Sequence, residues 1–343
     1  MASMITMFLQ SAYSMIDGLF VSNLIGDTAL SAVNVAWPVI AVVTAIGTGV
    51  GCGGAVMMST KQGEGKNEES NIVRANVILA LLASSIVVTI LFLILLTPLL
   101  KLMGAEGELL RLSQIYGRVM LTGGVLQILS CGLTPLLRND NRAVSAMMIM
   151  VGGLFVNLGL DFVFMYVFHM GIGGAAGASL CAQLFTTVCC LMILCTKKTD
   201  PIRFSQFIIR KEYWKKIFKT AVSPFGISLT PSLLILYHNV ACLKFGGDLA
   251  VKAYALISST VGSYRVLLIG VAEGIQPLAS YAYGAHDFHA IRKIRNKAVI
   301  TAIGVSFFLF IFTIATTRFY PAIYGYEGEA AELGYHAVMV TAA

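Results

Sequence analysis

Apolar runs of about 20 residues recur along the whole chain, and most charged residues fall in the shorter polar stretches between them. A run of that length crosses a bilayer as a helix, because a helix satisfies its backbone polar groups internally where no water can. The pattern predicts helices over Met4–Leu24, Ala29–Met58, Val73–Leu100, Ile115–Leu137, Ala143–Phe168, Gly174–Cys195, Val222–Leu243, Ala253–Tyr283 and Ala298–Thr316. A tenth begins near Glu332 and reaches the last residue. Pro38, Pro231 and Pro277 fall inside these segments and are expected to kink or break them, since proline removes a backbone donor and crowds the preceding turn. Gly47, Gly49, Gly51, Gly53 and Gly54 give the second segment small faces on which neighbouring helices can approach closely.

Composition agrees with that pattern. Hydrophobic residues make up 57% and charged residues 12% of 343, far from a soluble globular average. The expected class is an all-α polytopic membrane protein. The net charge of +7 does not point to nucleic acid, because the basic residues sit in alternate loops, and no nucleic-acid partner is expected. The cysteines (Cys52, Cys131, Cys181, Cys189, Cys190, Cys195 and Cys242) lie in apolar segments, are odd in number and show no metal-ligand spacing with histidine. They read as small packing residues. The N-terminus has no basic stretch before its first apolar run, so no cleaved signal is expected.

Loop charge predicts orientation. The loops after the second, fourth, sixth and eighth predicted helices hold seventeen basic residues, among them Lys61, Arg74, Arg138, Arg142, Lys211, Lys219 and Arg292. The opposite side holds six: Lys101, Arg111, Arg118, Lys244, Lys252 and Arg318. The basic side is expected to be cytoplasmic, with the N-terminus inside, in a multi-pass protein of the cytoplasmic membrane. Residues 197–221 form the longest polar stretch and read as a cytoplasmic linker, amphipathic around Lys211–Lys219, between lobes 1–196 and 222–343.

An internal repeat supports that division. A shift of 221 residues lays Gly26-Asp27 on Gly247-Asp248, Gly49-Val50 on Gly270-Val271, Gly53 on Gly274, Ser59 on Ser280, Gly63 on Gly284 and Arg74 on Arg295. It also lays Gly104, Glu106, Gly107 and Glu108 on Gly325, Glu327, Gly328 and Glu329. Six helices separate the two starts, so the units are parallel, with their pseudo-twofold axis along the membrane normal. The second unit is incomplete. The expectation is a C-terminally truncated chain carrying about ten of twelve helices in two six-helix repeats.

Polar residues inside the spans carry the candidate chemistry. Asp17, Asp161, Arg265 and Glu273 are ionisable, and His238 is a fifth candidate. An acid within a span is costly and usually faces a cavity or a partner. Asn157 and Asp161 are four residues apart and share a helix face. A glycine-rich turn, Gly171 to Gly174, then leads to a segment that presents Ser179. The sharp reading is that Asp17, Asn157, Asp161 and Ser179 converge as a cation site. Oxygen-only ligands suit a hard ion such as Na⁺, and two carboxylates crowded together in low dielectric can equally hold a proton. The plainer reading is a structural hydrogen bond between helices for each acid. The repeat lays Asp17 on His238, Glu273 on Cys52 and Arg265 on Thr44, so the charges at Glu273 and Arg265 are peculiar to the second half. Glu273, His238 and Arg265 form a possible second-lobe site. Glu273 and Arg265 can also neutralise each other across two turns, although they lie about 80° off a common face. His238 and Tyr237 can equally be a packed pair. Met147, Met148, Met150, Phe155, Met165 and Tyr166 are core or lipid-facing positions, though methionine-rich walls suit varied apolar ligands. No phosphate loop, metalloprotease helix or Ser/His/Asp set is present, so no enzyme is expected.

These residues resemble the multidrug and toxic compound extrusion (MATE) family, its bacterial branch above all. Leu9–Val33, with Asp17, resembles the family's first helix and following loop. Asn157–Asp161 resembles its fifth-helix motif, and Met170–Ser179 its sixth-helix entry, where this chain has Ser179 in place of the usual threonine. Glu273–Ala285 resembles the end of the eighth helix. The resemblance covers essentially the whole chain. It implies a V-shaped, monomeric, two-lobed transporter in the lipid bilayer that exports organic cations or other amphipathic drugs against inward Na⁺ or H⁺. It has no cofactor beyond that ion, and Asp17, Asn157, Asp161 and Ser179 are its coupling residues. The alternatives are a lipid-linked oligosaccharide flippase of the same broad architecture and a non-transporting membrane sensor. A flippase would favour a wide cationic cavity, whereas this chain has one in-span arginine and acids in both halves.

Overall fold

The structure, a computed structural model, describes residues 25–195 and 206–316, together with Met4, Met7 and Leu9. Asp17 and the predicted helix from Glu332 lie outside the described residues. The described residues form α1 (Asp27–Gly63), α2 (Asn67–Leu102), α3 (Gly107–Thr122), α4 (Gly124–Asn139), α5 (Ala143–Asp161), α6 (Gly171–Cys195), α7 (Lys211–Gly284) and α8 (Phe288–Thr316). No strand occurs among them. Five of these helices are long and apolar enough to cross a membrane, counting α5 with the turn that follows it, and α3 with α4 makes a sixth if that bent pair is one span. The protein is a multi-pass, all-α membrane protein.

α1 is the centre of the bundle and packs against α2, α3, α4 and α7. Its glycines make this possible. A methyl group on Gly51 would overlap the backbone of Gly132 in α4, and one on Gly53 would press on the backbone of Ala221 in α7. Small residues on opposite faces therefore admit two neighbours at backbone distance. The outward face of α2, with Ile86, Val87, Ile90 and Ile94, is exposed and apolar, as a surface against lipid tails must be.

Three predicted elements need correction. The predicted helix Ile115–Leu137 is two helices, α3 and α4, bent by 58° at Gly123. The break is stabilised locally. The buried Gln127 amide donates to the Met120 carbonyl, an acceptor that the interrupted ladder would leave unused. Meanwhile α1 runs through Pro38 without interruption. The predicted helix Ala143–Phe168 is α-helical only to Asp161 and continues as a π turn over Phe162–Val167. The predicted helix Ala298–Thr316 begins earlier, at Phe288, because the Asp287 carboxylate accepts the Ala290 N–H at 2.8 Å and caps a basic first stretch.

α7 is helical over 74 residues, which would span about 110 Å if straight. It is not straight. Ala221 packs at Gly53 and Tyr281 at Gly63. Those glycines are about 15 Å apart on α1, whereas a straight helix would set Ala221 and Tyr281 about 90 Å apart. The rings of His238 and Tyr254 also stack at 5.0 Å. The chain therefore doubles back between His238 and Tyr254, and the predicted helices Val222–Leu243 and Ala253–Tyr283 are the arms of an antiparallel pair. The first arm begins inside the expected linker. Tyr213, Ile217 and Ala221 recur every fourth residue and are buried, while Lys211, Lys215, Lys216 and Lys219 face outward.

The basic loops meet at one end of the bundle. Ser59 and Gln62, near the end of α1, bond to Asn139 and Asp140, at the end of α4. Gly63 abuts Tyr281 near the end of α7. The buried Asn76 clamps the linker from both sides, donating to the Ile208 carbonyl at 3.1 Å and accepting the Arg210 N–H at 3.1 Å.

Candidate functional site

α5 carries the first part of the site. The Asn157 side-chain amide donates to Asp161 Oδ2 at 2.9 Å, and both residues are buried, Asp161 completely. This is the one-turn pairing that the four-residue spacing dictates. Asp161 is the last α-helical residue before the π turn. Such turns change the helix phase locally and recur at functional sites. A carboxylate buried to this degree in an apolar bundle is costly unless it is paired, hydrogen-bonded or neutralised.

α6 carries the third candidate, Ser179. α5 and α6 run antiparallel: Gly153 lies against Ala182 and Thr186, and the Phe164 ring lies against Gly177. That register sets the half-buried Ser179 at the depth of Asn157 and Asp161. Among the described residues no hydrogen bond joins Ser179 to either. Its chain direction is set by the turn at His169 and Gly171, both with left-handed φ values of 50° and 60°. Asn157 and Asp161, with Ser179 at the same depth, offer oxygen atoms of the kind that suits a hard cation.

The second-half candidates do not gather in one place. Glu273 forms an ion pair with Arg138 of α4. His238 is exposed; its Nδ1 lies 2.8 Å from the Leu234 carbonyl, and its ring meets Tyr237 edge-on and stacks on Tyr254. Along the second arm of α7, Arg265 lies about 16 Å and Glu273 about 28 Å from Tyr254. Arg265 is half-buried.

Arg138 is the residue that sequence reasoning missed. Sequence pattern places it among the loop charges, yet it is buried, near the end of α4. Its neighbour Asp140 is also buried and forms an ion pair with Arg74 of α2, Nη1 to Oδ2 at 3.3 Å. Gln62 donates to the other oxygen of Asp140 at 3.1 Å, and Asn71 accepts from Arg74. The available signal was the run Arg138-Asn139-Asp140 directly after an apolar span, with Arg74 shortly before another.

The MatE family model matches residues 2–163 and 227–343. The chain belongs to the MATE family. This is a family of transporters, not of enzymes. The chain is 25% identical over 316 residues to the multidrug export protein MepA of Staphylococcus saprophyticus, covering 92% of this chain and 69% of that protein. It is 25% identical over 315 residues to MepA of Staphylococcus aureus strain N315, covering 91% and 69%. Among solved structures, it superposes with a TM-score of 0.91 and 24% identity on a MATE protein in complex with MaL6, covering 98% of this chain and 75% of that one. It also superposes with a TM-score of 0.91 and 24% identity on an outward-facing multidrug resistance MATE family transporter of the MOP superfamily, covering 99% and 75%. These likenesses show the fold.

Proposed function

We propose that this MATE family member is a cation-coupled multidrug efflux antiporter. It exports organic cations or other amphipathic drugs against inward Na⁺ or H⁺ by alternating access. The observation that carries the reading is the Asp161 carboxylate, completely buried and bonded by Asn157 where α5 turns from α to π geometry. Asp17, Asn157, Asp161 and Ser179 are its coupling residues. An arriving ion or proton neutralises the carboxylates, and the helices that carry them repack. The drug site is then lost, because a ligand shifts a two-state equilibrium only by its differential affinity for the two states.

The architecture of the reading is two parallel lobes, 1–196 and 222–343, joined by a linker. A reciprocal contact supports it. A side chain on Gly63 would overlap the Tyr281 carbonyl, and one on Gly284 would overlap the Thr60 carbonyl. The repeat exchanges Gly63 with Gly284 and Thr60 with Tyr281, so a pseudo-twofold axis turns each contact into the other. Convergence of the basic loops at one end supports a cytoplasmic assignment of that end and an inside N-terminus. The MepA relatives, named as multidrug export proteins, support the drug class.

The test is dye efflux from cells expressing wild type and Asp161→Asn, with Na⁺ and pH gradients imposed separately. Loss of gradient-dependent efflux is expected. Undiminished, still ion-dependent efflux would remove Asp161 from the mechanism.

A further inference from the structure

The linker end of α7 carries a ridge of lysines without acidic partners among the described residues. Lys211, Lys215 and Lys219 stand one turn apart in a row on the exposed side of the helix, and Lys216 lies beside them. We propose that this ridge is a docking site for anionic phospholipid headgroups in the leaflet at the basic end of the bundle, with the lysine ammonium groups bonded to lipid phosphates.

The ridge stands at the level of the headgroups. No lysine, arginine or acid follows Lys219 before Lys244. Over that stretch Val222, Ile227, Leu233 and Ile235 are exposed, as a surface against lipid tails must be. The charged side chains therefore end where hydrocarbon begins. Lys215, Lys216 and Lys219 fall within about 6 Å along the helix axis, which matches a headgroup layer of about 5–8 Å per leaflet. The exposed Phe218 and the half-buried Trp214, which meet edge-on at 6.1 Å, flank the row. Aromatic rings collect at the membrane–water interface, and lysine stems lie along apolar surface while their charged ends reach the headgroups.

The charge has no internal answer among the described residues. Within residues 210–219, Arg210 and four lysines accompany one acid, Glu212, and none of them forms an ion pair there. The basic cluster at the end of α1 is built otherwise: Lys61 and Lys66 pair with Glu64, and Lys61 also pairs with Glu69. Placement adds to the demand for an anion. Lys211, in the first turn of α7, opposes the helix dipole, whose positive end favours negative groups, and the helix has no side-chain cap at that end. Asn76 holds the Ile208 carbonyl and the Arg210 N–H against α2. The ridge is therefore fixed before lipid arrives, and binding has little chain left to order.

The test is thermal unfolding of the full chain in neutral detergent, titrated with phosphatidylglycerol or with phosphatidylcholine. Phosphatidylglycerol is expected to half-saturate the wild type at a concentration at least about tenfold lower, since each basic residue at an anionic surface contributes about fivefold. Lys215→Gln/Lys216→Gln/Lys219→Gln is expected to lose that preference. Lys215→Arg/Lys216→Arg/Lys219→Arg keeps it, and so does Lys61→Gln/Lys66→Gln, which alters only the self-paired cluster. No preference in the wild type, a preference that survives the glutamine triple, or equal loss in Lys61→Gln/Lys66→Gln would overturn the proposal. Inorganic phosphate and poly-glutamate probe the other occupants: half-saturation by either at as low a concentration as phosphatidylglycerol marks a general anion or protein-docking surface and overturns the lipid assignment. Should the glutamine triple unfold at a different temperature before lipid is added, the lipids it retains through purification, counted by native mass spectrometry, give the same comparison.

Discussion

Two ion pairs stand two residues apart at the end of α4, and they are built differently. Arg74–Asp140 joins α2 to α4, with both side chains 1% exposed, and Gln62 and Asn71 bond the same groups. Arg138–Glu273 joins α4 to the second arm of α7, with its side chains 8% and 20% exposed. The first is enclosed by polar partners, so loss of either member strands a buried charge. The second is partly exposed, so ions and water can reach its acid. Burial and bonding around a charge pair, more than the charges themselves, separate a fastener from an exchangeable contact.

The sharpest break in that comparison is Asp140→Ala. It leaves the buried Arg74 guanidinium without its carboxylate and is expected to cost about 3–5 kcal/mol. Glu273→Ala is expected to cost about half as much or less, since the pair is more exposed and Arg138 stands at the carbonyl end of α4. Thermal unfolding of both variants in one detergent checks the order, and a Glu273→Ala loss equal to that of Asp140→Ala would erase the distinction. Next in size are Gly63→Val and Gly284→Val, which force side chains into opposing carbonyls and should each cost about 1–3 kcal/mol. The contact is reciprocal, so similar losses are expected. A large inequality in unfolding temperature would count against the pseudo-twofold relation.

A smaller effect separates the two pairs by screening. Raising salt from 0.05 to about 0.5 M should loosen Arg138–Glu273 and leave Arg74–Asp140 unchanged, because ions reach only the former. Distances between spin labels on the ends of α4 and α7 would report it. The smallest effect lies outside the spans. Glu64 accepts hydrogen bonds from Lys61 and Lys66, which hold its carboxyl below the usual glutamate range. Its contribution is therefore full above the ordinary glutamate pKa and fades as pH falls through the lowered value. Glu64→Gln should cost under about 1 kcal/mol at neutral pH and nothing in strong acid. A stability gap that grows on acidification would reverse the sign.

Much of the molecule is written in local pattern. The spans follow from a bilayer that requires about 20 apolar residues per helix. The Asn157–Asp161 bond follows from a spacing of one helical turn, and the close approach of α1 to α4 and α7 follows from its glycines. The α3–α4 bend was not legible. Proline, the usual signal, lies at Pro38 and Pro135 within unbroken helices, while the bend sits at Gly123 and is held by Gln127.

The sequence alone determined which segments are apolar enough to enter the membrane and which polar residues they carry with them. Each of these depends on spacing along one chain or on its hydrophobic runs. Tertiary structure decided the partners. Glu273 met Arg138 and not Arg265, Asp140 met Arg74, and His238 parted from Glu273 to stack on Tyr254. A charge inside a low-dielectric bundle is governed by whichever opposite charge its neighbouring helix brings within reach, and neighbours in space are set by packing, not by distance along the chain.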